Sequence, residues 1–231
     1  MSIFAIADLH LSFGENKPMD IFGTNWEGHF NKIKEDWEKN VTNADTVLIP
    51  GDFSWATYLE DTYEDFKYLN DLPGKKLLLK GNHDYWWTTL TAMRKYLKDN
   101  NFTNIDFLHN NSYLEDEYII TGCRGWTTLE SDENKKVLKR ENLRLELSLQ
   151  DGVNKFGSNY PVIVVMHYPP FNDMGKDYDF IETMKKYNVK QCVYGHLHGP
   201  SHREAIEGNI QNIDFRLVSC DYTNFKLIKL T

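Results

Sequence analysis

TVLIPGD, residues 46 to 52, is a short apolar run that stops at a proline, a glycine and a carboxylate. A run of this length bounded by turn residues reads as a strand buried on both faces. Asp52 therefore stands just beyond a strand end, and core packing has no use for a charge there. The chain repeats the pattern elsewhere: FAIA leads to Asp8, LLLKG to Asn82, VIVVM to His167 and CVYG to His196.

Working outward from 46–49, the other buried strands are expected at 3–7, 76–79, 119–121, 162–166 and 191–194. Between them, 26–40, 58–72, 88–98, 134–149 and 177–187 mix charged and apolar residues at three- and four-residue spacing, as amphipathic helices do. Such alternation implies an α/β fold. After residue 200 the strand-like pieces 212–219 and 225–230 suggest a late antiparallel section, and the polar stretch 110–117 reads as a loop. With no internal repeat or linker, residues 1–231 are expected to form one domain.

In open α/β sheets the carboxyl ends of the strands share one edge, where ligands bind, so the strand-end residues should converge. Asp8-Leu9-His10 and His196-Leu197-His198 add pairs two positions apart, in which the intervening leucine points away. The candidate ligands are then Asp8, His10, Asp52, Asn82, His167, His196 and His198, too many for one zinc. If Asp52 bridges two ions, each ion receives four protein ligands and water or hydroxide completes the shell. Imidazole, carboxylate and amide donors without thiolate favour divalent manganese, iron, zinc, cobalt or nickel over calcium or an iron–sulfur cluster. Two such ions against two carboxylates leave a local charge of about +2, which attracts phosphate. A pair of ions can also generate a metal-bound hydroxide and stabilise phosphoryl oxygens, so metal-assisted phosphoester hydrolysis is the reaction the pattern suits.

These motifs resemble the calcineurin-like metallophosphoesterase superfamily. Its pattern of D-x-H, G-D, G-N-H-[DE], a lone H and G-H-x-H occurs in order as Asp8/His10, Gly51-Asp52, Gly81-Asn82-His83-Asp84, His167 and Gly195-His196-Leu197-His198. The resemblance implies a four-layer α/β sandwich, with two central mixed β-sheets flanked by helices, around a dinuclear site. It assigns one metal to Asp8, His10, Asp52 and His198, and the other to Asp52, Asn82, His167 and His196. His83 would contact phosphate or act as general acid for the leaving oxygen, and Asp84 would orient it. The family often carries an acidic or amide residue three positions after the G-D aspartate, where this chain has Trp55.

Trp55, Tyr85, Trp86, Trp87 and Trp126 fall near the expected site loops and are read as core and rim packing ahead of a base-stacking platform. Arg124, in TGCRGW, is a weaker candidate: a guanidinium could reach a substrate phosphate, but a surface arginine is the plainer reading. His29, His109 and His202 lack a partner at ligand spacing and read as structural or solvated, with His202 notable for its closeness to His198. Cys123, Cys192 and Cys220 are odd in number and widely spaced, which fits reduced core thiols.

The charge balance limits the partners. With 26 Lys+Arg against 34 Asp+Glu, the formal net charge is -8, so bulk attraction to nucleic acid or an anionic membrane is absent. The opening MSIFAIADLHLSF lacks a basic segment followed by a long apolar one, and a cytoplasmic chain is expected. The expected partner is a small phosphomonoester or phosphodiester, with nucleotides among the candidates, rather than long nucleic acid. Two competing readings remain. His83-Asp84 could suggest a helical H-D phosphohydrolase, but there the pair should lie within a helix. The other is a non-catalytic metal-binding scaffold of the same fold.

Overall fold

The computed structural model describes residues 1–15, 17–127, 131–171 and 179–231. Two sheets face each other across a shared apolar layer. The first has the order β11-β1-β2-β3-β4, from β1 (Ile3–Ala5), β2 (Thr46–Ile49), β3 (Lys75–Leu79), β4 (Ile105–Leu108) and β11 (Ile228–Lys229). The β1, β2, β3 and β4 strands run parallel, and β11 joins β1 antiparallel. The second has the order β5-β6-β7-β8-β10-β9, from β5 (Ser112–Glu115), β6 (Tyr118–Cys123), β7 (Val162–Met166), β8 (Val189–Tyr194), β9 (Gly208–Ile210) and β10 (Ile213–Leu217). Here β6, β7, β8 and β10 are parallel, and the edge strands β5 and β9 are antiparallel.

Period-two alternation explains why the central runs are apolar without a break. Ile3, Ala5, Leu48, Leu77, Ile163 and Val165 point between the sheets. Their neighbours on the first sheet, Phe4, Val47, Ile49 and Leu78, point outward onto α1 (His29–Asn40), α2 (Tyr63–Asp71) and α3 (Leu90–Asp99), meeting Trp37, Phe66 and Met93. On the second sheet Val164 and Met166 meet Leu138 and Leu145 of α4 (Asp132–Phe156) and Phe180 and Met184 of α5 (Phe180–Lys185). The layers are helix, sheet, sheet, helix, as the resemblance implies. All three cysteines are free and buried, and none of the helices searched is long and apolar enough to cross a membrane.

Several expectations need correction. The loop expected at 110–117 is a hairpin, with Asp116 and Glu117 at φ 46 and 64 in its turn. Such a turn demands left-handed backbone, and β5 reads as polar because it is an edge strand. β4 and β9 were not expected, and β10 pairs with β8 in parallel, so the late section is only partly antiparallel. The helix expected from residue 26 starts at His29, after Gly28 in left-handed conformation. Residues 177 and 178 of the helix expected at 177–187 lie outside the described residues.

Candidate metal centre

The candidate ligands follow the carboxyl ends of β1, β2, β3, β7 and β8, and the loops that carry them are laced together. The N–H of Asp8 donates to Gly51 O (3.0 Å), that of His10 to Asp52 O (3.0 Å), and that of Gly195 to His167 O (3.1 Å). Asp8, His10, Asp52 and His196 have φ of 60, 45, 51 and 73, a region costly for non-glycine residues. Strained backbone at four candidate ligands indicates that the surrounding packing dictates their placement. The motif glycines explain how the loops approach so closely. A Cβ on Gly81 would lie 2.0 Å from Asp52 Oδ1, and one on Gly195 would lie 2.6 Å from Asp8 Oδ2.

All seven expected ligands meet here. Asp8, His10 and His198 offer ligand atoms within 4.8 Å of one another, as do Asp8, Asp52 and His167. His10 Nε2 lies 3.8 Å from Asp52 Oδ2 and 3.4 Å from His198 Nε2. His167 Nε2 is 3.6 Å from Asp52 Oδ2 and 2.7 Å from Asn82 Oδ1, and His196 Nδ1 is 2.9 Å from the same amide oxygen. Asp52 Oδ2 thus lies between imidazoles carried by two different loops, those of His10 and His167.

The cluster fits divalent cations. Asp8 Oδ1 is buried without a hydrogen-bond partner, although desolvating a carboxylate oxygen is costly. Burial alone would raise the Asp8 pKa, but the imidazoles of His198, His167 and His10 outweigh it and hold Asp8 below the usual carboxylate range. Burial and the nearby Asp8 carboxylate hold Asp52 above that range. Burial, then His167, pushes His196 down to about 3. Burial also opposes charge on His198, yet Asp8 and Asp221 lift it to about 10. Without a cation, protons offset the carboxylates, and a divalent ion would displace them.

The outer contacts refine the expected roles. Asp84 does not orient His83. Its carboxylate accepts the N–H groups of Gly81 (2.7 Å), Asp52 (2.9 Å), Phe53 (3.0 Å) and Ser54 (3.3 Å), and the Trp86 indole (3.1 Å). With that many donors around it, the side chain ties the G-D loop to the G-N-H-D loop and is not placed at a reacting atom. His83 Nδ1 is buried with no hydrogen-bond partner. The His83-Asp84 pair sits in the loop after β3 and not in a helix, which removes the H-D phosphohydrolase reading.

Sequence reasoning missed Asp221. Its Oδ1 is 2.8 Å from His198 Nδ1, and its Oδ2 is 3.2 Å from His202 Nε2 and accepts the Gly199 N–H (3.1 Å). A carboxylate behind a ligand imidazole fixes the ring and its tautomer. Only the recurrence of Asp after the short run LVSC, the same strand-then-carboxylate pattern, could have flagged it. His29 is structural, its Nε2 lying 3.0 Å from Leu9 O.

A cleft of ≈ 450 Å³ opens at His10, His83 and His198, rimmed by Met19, Trp26 and Trp55. Trp55 stacks on His10 at 4.8 Å and lies 4.4 Å from His83. Trp26, overlooked in the sequence, is 5.8 Å from His198. Trp86 and Trp87 are buried in the core, whereas Trp126 and Tyr85 are not among the residues lining this cleft. Arg124 is not among them either and lines a separate cavity.

A sandwich that gathers histidine, carboxylate and amide donors at the carboxyl ends of strands from both sheets is the arrangement of a metal-dependent phosphoester hydrolase. The chain belongs to the calcineurin-like phosphoesterase family, whose family model matches residues 1–200. No curated protein matches it significantly. Among solved structures it is similar to TT1561 of Thermus thermophilus, with TM-score 0.59, 13% identity, and coverage of 99% of this chain and 97% of that one. It is also similar to AQ665 of Aquifex aeolicus, a protein of unknown function, with TM-score 0.51, 18% identity, and coverage of 99% and 95%. At these identities the likeness shows the fold alone.

Proposed function

We propose that this protein hydrolyses a small phosphomonoester or phosphodiester at a pair of divalent cations. Asp8, His10, Asp52 and His198 would hold one ion, and Asp52, Asn82, His167 and His196 the other, manganese, iron or zinc being the candidates. The observation that carries this reading is the Asp52 carboxylate, 3.8 Å from a His10 nitrogen and 3.6 Å from a His167 nitrogen. Bound there, the cations would supply electrophilic stabilisation of phosphoryl oxygens and an acidified water.

The chain's own side chains account for the rest. His83 is among the residues that line the cleft, so its imidazole can contact phosphate or hand a proton to the leaving oxygen. Asp84 and Asp221 hold the loop and the His198 ring in place. Trp55 and Trp26 give the cleft an apolar wall that suits a leaving group with a hydrophobic or aromatic face, a nucleoside among them. The net charge of -8 disfavours an extended phosphate backbone. The test is kcat/KM of manganese-loaded protein for small mono- and diesters, nucleotides included, against DNA and a phosphopeptide. Efficient cleavage of either large substrate with poor turnover of small esters would overturn the size assignment, and no cleavage of any ester would overturn the reaction.

A further inference from the structure

A second cavity, ≈ 540 Å³, opens where the two sheets meet beyond the ends of β3, β4 and β6. Its charged lining is Lys80, Arg124, Arg144 and Glu141. Three basic side chains against one carboxylate give a formal +2, in a chain that carries -8 overall. The Arg144 guanidinium is already engaged, with Nη1 2.6 Å from Glu141 Oε1. The side chains of Lys80 and Arg124 have no hydrogen-bond or ion-pair partner among the described residues, Arg124 only lying over the Trp126 ring at 5.1 Å.

Three residues of this lining also hold buried polar atoms without a hydrogen-bond partner among the described residues: Arg124 Nε, Trp87 Nε1 and Glu141 Oε2. Orphaned buried polar atoms are uncommon, and their gathering on one cavity calls for a ligand that supplies what they lack. Arg124 and Trp87 lack an acceptor. Glu141, fully buried, has a donor on Oε1 but none on Oε2. The N-terminal end of α3 borders the same space through Thr88, the N-cap Thr89 and Leu90, and although the Thr89 hydroxyl accepts the Ala92 N–H (3.3 Å), the helix start carries partial positive charge.

We propose that this cavity binds a hydrogen-phosphate-like oxyanion, which presents acceptor oxygens to Lys80, Arg124 and Trp87 and a P–OH hydroxyl to Glu141. The carboxylate makes the site selective: it repels an anion without a donor and receives a hydrogen bond from one that has it. The site also shares a wall with the candidate metal centre. Lys80 precedes Gly81-Asn82 in sequence, and the Arg124 carbonyl accepts the N–H groups of His167 (3.2 Å) and Tyr168 (2.9 Å). The phosphate could be free, or the remote group of a substrate whose ester lies at the metals.

The probe is inorganic phosphate, titrated calorimetrically into the full chain with the metal chelated by EDTA. One phosphate should bind per chain. Lys80→Gln/Arg124→Gln should weaken it by ~10-fold or more, and sulfate, which has no hydroxyl, should bind ~10-fold more weakly than phosphate. In metal-loaded protein the double variant should lose one bound phosphate relative to wild type. Absence of a chelator-resistant site, or affinity unchanged in the double variant, would overturn the proposal, and sulfate binding as tightly as phosphate would overturn the role of Glu141. Because binding is read without metal, a failure of the hydrolase reading would leave this result standing. The source follows from KM for an ester bearing a second phosphate relative to KM for p-nitrophenyl phosphate: a rise in this ratio in the double variant assigns the remote group of a substrate, and an unchanged ratio assigns free phosphate.

Discussion

Replacing Gly81 by alanine probes how the two central loops are fitted together. The new Cβ would lie 2.0 Å from Asp52 Oδ1 and 2.2 Å from the Asp52 backbone nitrogen. Ordinary contact begins near 3.4 Å, so Asp52 or the loop bearing residue 81 must retreat by about 1.4 Å. Neither can retreat independently, because the Asp84 carboxylate accepts the N–H groups of both Gly81 and Asp52. A displacement of that size at a catalytic centre costs on the order of 10²-fold in turnover, and overpacking costs about 1–3 kcal/mol in stability. Gly157→Ala is the control: its φ of +92 also disfavours a side chain, but nothing lies within 4 Å. The assay is metal content by mass spectrometry together with phosphoesterase rate at a temperature where both variants are folded. Gly81→Ala with full metal content and a rate within threefold of wild type would refute the argument that Asp52 is positioned by this contact.

Three further outcomes are expected. His83→Ala should keep the metals and lose ~10²- to 10⁴-fold in turnover on esters with poor leaving groups, with a smaller loss on nitrophenyl esters; equal losses on both would assign His83 to phosphate binding or structure. Asp221→Asn should weaken metal binding ~10- to 100-fold, read by chelator competition, because the His198 ring loses its anionic partner at 2.8 Å. Lys76 is fully buried, its ammonium donating to Leu72 O, and burial pushes its pKa from 10.5 down to about 7. Between about pH 7 and 10.5 the unfolded chain therefore holds a proton that the folded chain has released, so this residue makes stability rise with pH across that window. Denaturant midpoints at several pH values should show the rise, and Lys76→Met should flatten it.

The central strands were legible because a strand buried on both faces must be apolar throughout, and β2 and β7 were bounded correctly on that basis. The site was legible for the complementary reason: a carboxylate or histidine at the end of such a run, as at Asp52 and His167, has no packing role to disguise it. Edge strands lack this signal. β5 exposes Leu114 to solvent and carries Ser112, whose hydroxyl donates to Asp151, so its composition looks like a loop. Asp84 shows another limit. The motif places it beside His83, but only the three-dimensional structure reveals that backbone donors from the G-D loop, thirty or so residues away in sequence, have claimed its carboxylate. Arg124 is a third case. Its position after β6 suggested the metal cleft, yet the strand sits far enough along the second sheet for the side chain to line the neighbouring cavity.

The central claim is a pair of divalent cations sharing Asp52. Its most direct measurement is the metal stoichiometry of manganese-loaded wild type and Asp52→Asn, with turnover of a small phosphoester measured on the same samples. Two ions per chain and hydrolysis are expected for wild type. Asp52→Asn should lose metal from both sites and with it turnover, by more than His10→Ala, which touches one site only. One ion per chain in active wild type, or two ions and near-normal turnover in Asp52→Asn, would contradict the account.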